Sequence, residues 1–191
     1  YTTLATSTWK ETFSKSGITL KLSFMQKLPF KKSLNRFYSV LGLHMLAFET
    51  FDFSDFDVVL SISSRYAHGI LTKPETKHIC YLNSPGRMFW EPFDYFKYES
   101  PLTRLFSLLV KPFLSHSRIW DYSSAQRVDV FVANSPEPQK RIGKYYGQKA
   151  EVIFPPVSAP PNFFNDYDFC STKACLDYYL VLTRLLPWKR V

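Results

Sequence analysis

The sequence is poor in cysteine and glycine and contains no long apolar run. Its 191 residues include three cysteines, Cys80, Cys170 and Cys175, too few for a disulfide framework and consistent with a reducing compartment. Its six glycines form no G-x-G-x-x-G, Walker-type or G-x-S-x-G motif, so the signatures of ordinary dehydrogenases, NTPases and hydrolases are missing. No stretch approaches the twenty uncharged apolar residues that a membrane-spanning helix needs.

Aromatic side chains and positive charge are abundant instead. Aromatic residues make up 18% of the chain and hydrophobic residues 46%, enough to build a packed core and to exclude wholesale disorder. The net charge of +8 favours anionic partners such as phosphates, nucleotides or an acidic membrane face. Because the cations occur in short groups between apolar runs, a solvated, mildly basic surface is the simplest interpretation.

Strand and helix patterns alternate along the chain. Continuous apolar runs closed by polar residues predict four buried strands: 57–63, 78–82, 127–133 and 151–154. Helical spacing predicts one helix over 34–48, two helices over 101–126 separated at Pro112, and a helix from Pro136 with Ser135 as its N-cap and Gly147 at its end. For residues 1–30 the sequence predicts loops with one or two weakly indicated secondary-structure elements. The alternation predicts an α/β fold with a parallel sheet.

The composition also predicts a division of the chain. Residues 1–157 form the α/β domain, and residues 158–177, rich in Pro, Asn, Asp and Ser, have the character of a linker. A new buried strand over 178–183 then opens a second domain, which the sequence carries only as far as residue 191.

Polar residues collect where the predicted strands end, the edge at which open parallel sheets bind ligands. They are Ser61–Arg65, Asn83–Arg87, Asn134, Ser135 and Arg184. His68 follows the first strand and is a further candidate, whereas His78 begins a strand at the far edge, where structural packing is expected. Arg184 and Lys189 stand five residues apart after the last strand, a pairing of guanidinium and ammonium that suits a diphosphate.

Metal-binding patterns are weak. The pattern Asp-x-Asp, whose spacing can hold Mg²⁺ or Mn²⁺, occurs at Asp55–Asp57 and at Asp166–Asp168. The first pair precedes its predicted strand and the second lies in the predicted linker, so neither lies at the edge where a ligand is expected. Cys170 and Cys175 lack the paired spacing of a zinc site. We therefore assign no metal.

The order of motifs resembles that of family 4 glycosyltransferases, most closely the bacterial mannosyltransferase-like members. The resemblance is co-linear over about residues 23–191. In the first half of the chain it is carried by Ser23-Phe24 with Leu28-Pro29 and by residues 53–59 and 78–87. Further along, it is carried by Trp120-Asp121, Arg127-Val128-Asp129, Asn134-Ser135, Arg141-Ile142 with Tyr145-Tyr146-Gly147, and residues 152–157. The last segment is Thr183-Arg184-Leu185 through Lys189.

The resemblance implies a GT-B enzyme with two Rossmann-like domains facing a cleft. The chain would supply most of the N-terminal, acceptor-side domain and the first strand of the donor-binding domain, starting after the family's Gly-rich first loop and ending before its pair of glutamates. Such enzymes retain the anomeric configuration and typically use no metal or other cofactor. Arg184 and Lys189 would bind the donor diphosphate.

By the same resemblance, the acceptor side of the cleft is lined by Asn83, Arg87, Asn134, Ser135 and His68. Asn83 stands where many relatives carry a histidine, and an amide donates a hydrogen bond but does not titrate. His68 stands where relatives often carry a lysine. No catalytic residue is therefore assigned.

The expected function is transfer of a hexose, with mannose as first candidate, from a nucleotide-diphosphate sugar to a glycan or lipid-linked acceptor in polysaccharide biosynthesis. We expect a cytoplasmic location, with peripheral docking on anionic lipid at the inner leaflet as a hypothesis resting on charge. No nucleic-acid partner is expected of the enzyme, and the segment alone is expected to be inactive. The alternative is a non-catalytic basic α/β module, either a degenerate transferase or a binder of anionic membrane or nucleic acid.

Overall fold

Four short apolar segments form the strands of one all-parallel sheet in the computed structural model, which describes residues 1–30, 35–93 and 101–157. The strands are β1 (Val58–Ser63), β2 (Lys77–Leu82), β3 (Val130–Ala133) and β4 (Ala150–Val152). They lie side by side in chain order, with Leu60 opposite Ile79 and Leu82 opposite Ala133. The predicted α/β fold is confirmed, and the arrangement is Rossmann-like.

Helices precede and connect the strands. They are α1 (Ser7–Lys15), α2 (Asn35–Val40), α3 (Leu43–Glu49), α4 (Arg87–Trp90), α5 (Pro101–Ala125) and α6 (Pro136–Tyr146), with short 3-10 turns at Phe24–Lys27 and Ala67–Gly69. Within the described ranges, none of these helices is both long and apolar enough to cross a bilayer.

The two faces of the sheet differ in burial. Side chains alternate along β1, so that Val59, Ser61 and Ser63 are buried while Val58, Leu60 and Ile62 are 58–68% exposed. The connection between two parallel strands of one sheet is right-handed in nearly all proteins. Because each strand here lies on the same side of the strand before it, all the connections lie on one face of the sheet. The described helices therefore cover one face and leave the aliphatic side of β1 bare.

The main core lies between the covered face, α5 and α6. It consists of Cys80, Leu82, Ala125, Val128, Phe131, Ala133, Ile142 and Tyr146. A second cluster joins α3, α4 and α5 and contains Met45, Tyr66, Met88, Phe89 and Leu114. Burial of these side chains holds the helices on the sheet.

The positions of the four predicted strands are confirmed with small differences in length, but the prediction that all four are buried is wrong: β1 is buried on one face only, and β4 has no buried residue. The predicted third strand, 127–133, begins only at Val130, because the backbone N–H groups of Arg127 and Val128 donate to Ser124 and Ala125 and so close α5. The predicted helix from Pro136 is also confirmed. Gly147 ends it in the left-handed conformation, φ +68°, while Ser135 occupies the N-cap position without making a side-chain capping bond.

Two helix predictions are wrong. The helix expected over 34–48 is divided into α2 and α3, because Gly42 adopts a left-handed conformation, φ +72°, that turns the chain. The break expected at Pro112 is missing, and α5 runs unbroken through it. Pro112 is exposed while Leu114 and Asp121 are buried, so packing of the following turns offsets the lost backbone bond.

The chain divides into two units, Tyr1–Ile153 and Phe154–Val191. Only residues 154–157 of the second are described. The predicted linker, 158–177, and the predicted strand over 178–183 therefore lie outside the described residues, as does Leu34 at the start of the first predicted helix.

Candidate functional site

Four polar side chains form a connected row at the carboxyl ends of β1, β2 and β3. Asn83 and Asn134 directly follow Leu82 and Ala133, which are opposite each other in the sheet. The Asn134 amide donates to Asn83 Oδ1 at 3.4 Å, and the Asn83 amide donates to Ser64 Oγ at 3.0 Å. Ser135 Oγ donates to Asn134 Oδ1 at 3.2 Å. We call Ser64, Asn83, Asn134 and Ser135 the polar edge.

The polar edge consists of neutral amides and hydroxyls. Ser64 is exposed and the other three residues are half-buried, so the row is open to a ligand. Amides and hydroxyls both donate and accept hydrogen bonds, but none of them titrates near neutral pH. The polar edge can therefore bind a ligand rich in hydroxyl or amide groups, and it offers no group of its own for proton transfer.

A balanced ionic cluster lies next to the polar edge. Arg141 of α6 donates to Ser84 Oγ at 3.4 Å and contacts Glu91 at 3.4 Å and Glu137 at 3.0 Å. Arg87 Nε contacts the other oxygen of Glu91 at 3.2 Å. Two arginines thus face two glutamates, which reduces the local excess charge that an anionic ligand would meet. The predicted site residue Arg87 is tied to Glu91 rather than free.

The Arg141–Glu91 contact was not predicted as part of the site. The spacing of four residues between Glu137 and Arg141, and between Arg87 and Glu91, is a sequence signal for ion pairs on one helix. No such signal joins Arg141 to Glu91, because Arg141 lies in α6 and Glu91 directly follows α4, 50 residues earlier in the chain.

His68 is not brought to the polar edge. It is fully buried, with Nδ1 3.3 Å from Ser63 Oγ and Nε2 3.3 Å from Asp121 Oδ1. Asp121 Oδ2 accepts from Trp90 Nε1 at 2.7 Å and from the Tyr146 hydroxyl at 2.8 Å. Burial, followed by the nearby carboxylate, raises the pKa of Tyr146 well above its usual value, so the phenol remains a donor. In this structure His68 belongs to a buried polar network behind the sheet.

His78 also lies inside the fold. It is fully buried on the helix-covered face, and Nε2 is 2.9 Å from Ser61 Oγ. Burial lowers the pKa of His78 to about 4, so the ring is neutral at neutral pH. Its backbone N–H donates to Asp129 Oδ2 at 2.7 Å, a bond that lowers the pKa of Asp129.

Two of the remaining predicted residues lie at the opposite edge of the sheet, and the others fall outside the described residues. Asp55 and Asp57 are exposed just before β1, at the amino end of the sheet. Across residues 1–30, 35–93 and 101–157, no three His, Cys, Asp or Glu side chains are grouped to hold a metal ion. Arg184, Lys189, Asp166–Asp168, Cys170 and Cys175 lie outside the described residues.

No protein-family model, curated protein or solved structure matches this chain. The resemblance to family 4 glycosyltransferases therefore stays a prediction from motif order.

Proposed function

We propose that the chain is the acceptor-side part of a retaining glycosyltransferase of GT-B type. The observation that carries the proposal is the polar edge, where Asn83 and Asn134 meet at the carboxyl ends of adjacent parallel strands. This is the edge at which open α/β sheets bind their ligands. The motif order along the chain supports the same function independently.

Sugar hydroxyl groups match the chemistry of the polar edge. Each hydroxyl both donates and accepts hydrogen bonds, as do the side chains of Ser64, Asn83, Asn134 and Ser135. Trp90 stacks on Tyr145 at 4.8 Å between ring centroids, and the Tyr145 hydroxyl donates to Glu91. This half-buried aromatic pair stabilises the adjoining helices α4 and α6 and so supports the strand ends from which the edge projects.

Several residues of the motif series have structural roles in the described unit, which fits a shared fold. Trp120 Nε1 donates to Glu49 at 2.7 Å, and the buried carboxylate of Asp121 accepts hydrogen bonds from Trp90 and Tyr146. Asp129 accepts the backbone bond at the start of β2. We infer that these residues build the scaffold and that the polar edge binds the acceptor.

We propose that residues on the donor side of the cleft stabilise the negative charge that forms on the leaving group. Arg184 and Lys189 would bind the diphosphate of the nucleotide-sugar and stabilise the negative charge that grows on the leaving nucleotide. The polar edge would orient an acceptor hydroxyl against the sugar. In this proposal the transferred group is a hexose, with mannose as the first candidate, and the acceptor is a glycan or a lipid-linked sugar.

Sugar binding by the polar edge can be tested with the full chain. Saturation-transfer NMR with methyl α-mannoside and methyl α-glucoside should show saturable binding that Asn83→Leu and Asn134→Leu weaken about tenfold, because each substitution removes hydrogen bonds to the sugar hydroxyl groups. The matched control is Ser123→Ala, at an exposed position of α5. Absence of saturable binding to any glycoside, or equal binding by all variants, would contradict the acceptor-site assignment.

The donor assignment is tested separately with GDP-mannose and UDP-glucose. Wild-type chain should bind one of them more tightly than Arg184→Ala and Lys189→Ala do, because each variant removes one phosphate contact. Unchanged affinity in both variants would remove these residues from the donor site. Binding of anionic vesicles or oligonucleotides without binding of sugars or nucleotide-sugars would favour the non-catalytic module.

A further inference from the structure

Most of the net positive charge lies in the first quarter of the chain. Residues 1–48 contain seven cations and one acid, a net of +6, whereas residues 49–191 contain 17 cations and 15 acids, a net of +2. The seven cations are Lys10, Lys15, Lys21, Lys27, Lys31, Lys32 and Arg36, and the acid is Glu11. This segment therefore presents an attractive potential to an anionic surface.

Helix α1, in the same segment, displays an apolar face, and none of its side chains belongs to a core cluster of the described residues. No residue of α1 is buried. Trp9 and Phe13 stand one helical turn apart and stack at 5.7 Å between ring centroids, with Trp9 58% exposed. Glu11 pairs with Lys15 at 2.8 Å, and helical geometry places this pair about 160° around the axis from the two rings. The helix is thus amphipathic, with its single acid turned away from the aromatic face.

The end of α1 extends this apolar face. Gly17 adopts a left-handed conformation, φ +68°, and the Ile18 N–H donates to the Phe13 carbonyl at 2.9 Å. This is the longer bond of a Schellman motif, which brings the residue after the glycine next to the last turn of the helix. Ile18 is 53% exposed. We call Trp9, Phe13 and Ile18 the aromatic strip.

We propose that α1 docks on an anionic lipid surface, with the aromatic strip inserted at the level of the head groups. Trp is favoured at membrane interfaces because it combines a large apolar body with a polar N–H. Lys10 follows Trp9 on the same helix, and the net positive charge of residues 1–48 attracts anionic head groups. The short helix lies in the plane of the interface and does not enter the hydrocarbon core.

The bare face of β1 is the main competing lipid-binding surface. Val58, Leu60 and Ile62 are exposed and apolar, but Asp55 and Asp57 are exposed at the amino end of the same strand. These two carboxylates would repel an anionic surface, whereas Glu11, the one acid in the sequence of residues 1–48, is paired with Lys15 on the side of α1 away from the aromatic strip. The charge distribution therefore favours α1.

Vesicle co-sedimentation of the full chain tests the proposal. Wild-type protein should bind vesicles of mixed phosphatidylcholine and phosphatidylglycerol and should bind pure phosphatidylcholine weakly. Trp9→Ser with Phe13→Ser should weaken binding to the mixed vesicles at least about tenfold, since two aromatic groups no longer leave water. Lys10→Gln should weaken it about five-fold, the contribution of one cation near the surface. The single variant Trp9→Phe, which keeps an aromatic ring, should retain most of the wild-type binding to the mixed vesicles.

Matched controls separate docking through α1 from general adhesion. Leu60→Ser on the bare sheet face and Lys149→Gln on the exposed surface near β4 should bind mixed vesicles like wild type. Because no residue of α1 is buried, the double variant should unfold at the wild-type temperature, which shows that the fold is intact. Binding that does not depend on anionic lipid, that survives the double variant, or that Leu60→Ser reduces equally, overturns the proposal.

Discussion

Acidification should destabilise the fold through His78. The side chain is fully buried on the covered face of β2, Nε2 lies 2.9 Å from Ser61 Oγ, and Nδ1 has no hydrogen-bond partner among the described residues. Burial lowers the pKa of His78 to about 4, whereas an unfolded chain holds histidine near about 6.5. Between these two values the unfolded state binds more protons than the folded state. The contribution of neutral His78 to the free energy of unfolding is fully present above about pH 6.5 and is lost as the pH falls toward about 4.

The size of the effect follows from these two pKa values. Lowering the pH from about 7 to about 5 should reduce the free energy of unfolding by about 2 kcal/mol through His78 alone. Burial also lowers the pKa of His44, which adds a change in the same direction. The carboxyl groups of Asp52 and Asp129 have lowered pKa values and lose their contribution only at more acidic pH.

Urea unfolding at several pH values measures this dependence. His78→Gln keeps a polar group opposite Ser61 but does not titrate, so its stability should fall by about 2 kcal/mol less than that of wild type over the same pH interval. His116→Gln changes an exposed histidine of α5 and should keep the wild-type dependence. If His78→Gln and wild type lose stability in parallel, the buried neutral histidine is not the cause.

Three further predictions concern packing and reactivity. A methyl group at Gly69 would lie 2.3 Å from the Trp120 ring, so Gly69→Ala should lower the free energy of unfolding in urea by about 1–3 kcal/mol. Gly143 lies inside α6 with no neighbour nearer than 4.0 Å among the described residues, so Gly143→Ala should instead raise it by about 0.5–1 kcal/mol. Equal effects of the two substitutions would refute the packing argument. Asp121→Ala removes the acceptor of the buried Tyr146 hydroxyl and of the half-buried Trp90 N–H, and it should cost about 3–5 kcal/mol. A loss below about 1 kcal/mol would contradict the network's role. Burial raises the pKa of the Cys80 thiol to about 12, so peptide mapping should find it alkylated at pH 8 only after unfolding, and rapid labelling of the native chain would disprove its burial.

Local sequence signals were sufficient for much of the fold. Apolar runs of four to seven residues closed by polar residues located all four strands, because short runs of β-branched and other apolar side chains favour extended backbone whether one face or both faces are covered. Pro136 and Gly147 marked the limits of α6, because each acts through its own backbone preference. The same local reasoning failed at Gly42 and Pro112. At Gly42 a left-handed glycine turns the chain within an apolar pattern that continues on both sides, and at Pro112 packing of the following turns keeps the helix continuous.

The candidate site was predictable in position but not in detail. Polar residues after consecutive strands implied that Asn83 and Asn134 share an edge, because parallel strands end on the same side of a sheet. Their hydrogen bond joins residues 51 positions apart and depends on the register of β2 and β3. The same is true of Arg141 and Glu91, whose contact depends on how α6 lies beside α4.

The sequence by itself determined the α/β alternation, the positions of the strands and the abundance of basic and aromatic residues, since these follow from local periodicity and composition. Only the tertiary structure decided which of those residues are available to a ligand. It buried His68 against Asp121, paired Arg141 with Glu91, and left the face of α1 that carries Trp9 outside the core of the described residues. The physical reason is that exposure and pairing depend on contacts between segments far apart in the chain, which the register of the sheet and the packing of the helices on one face establish.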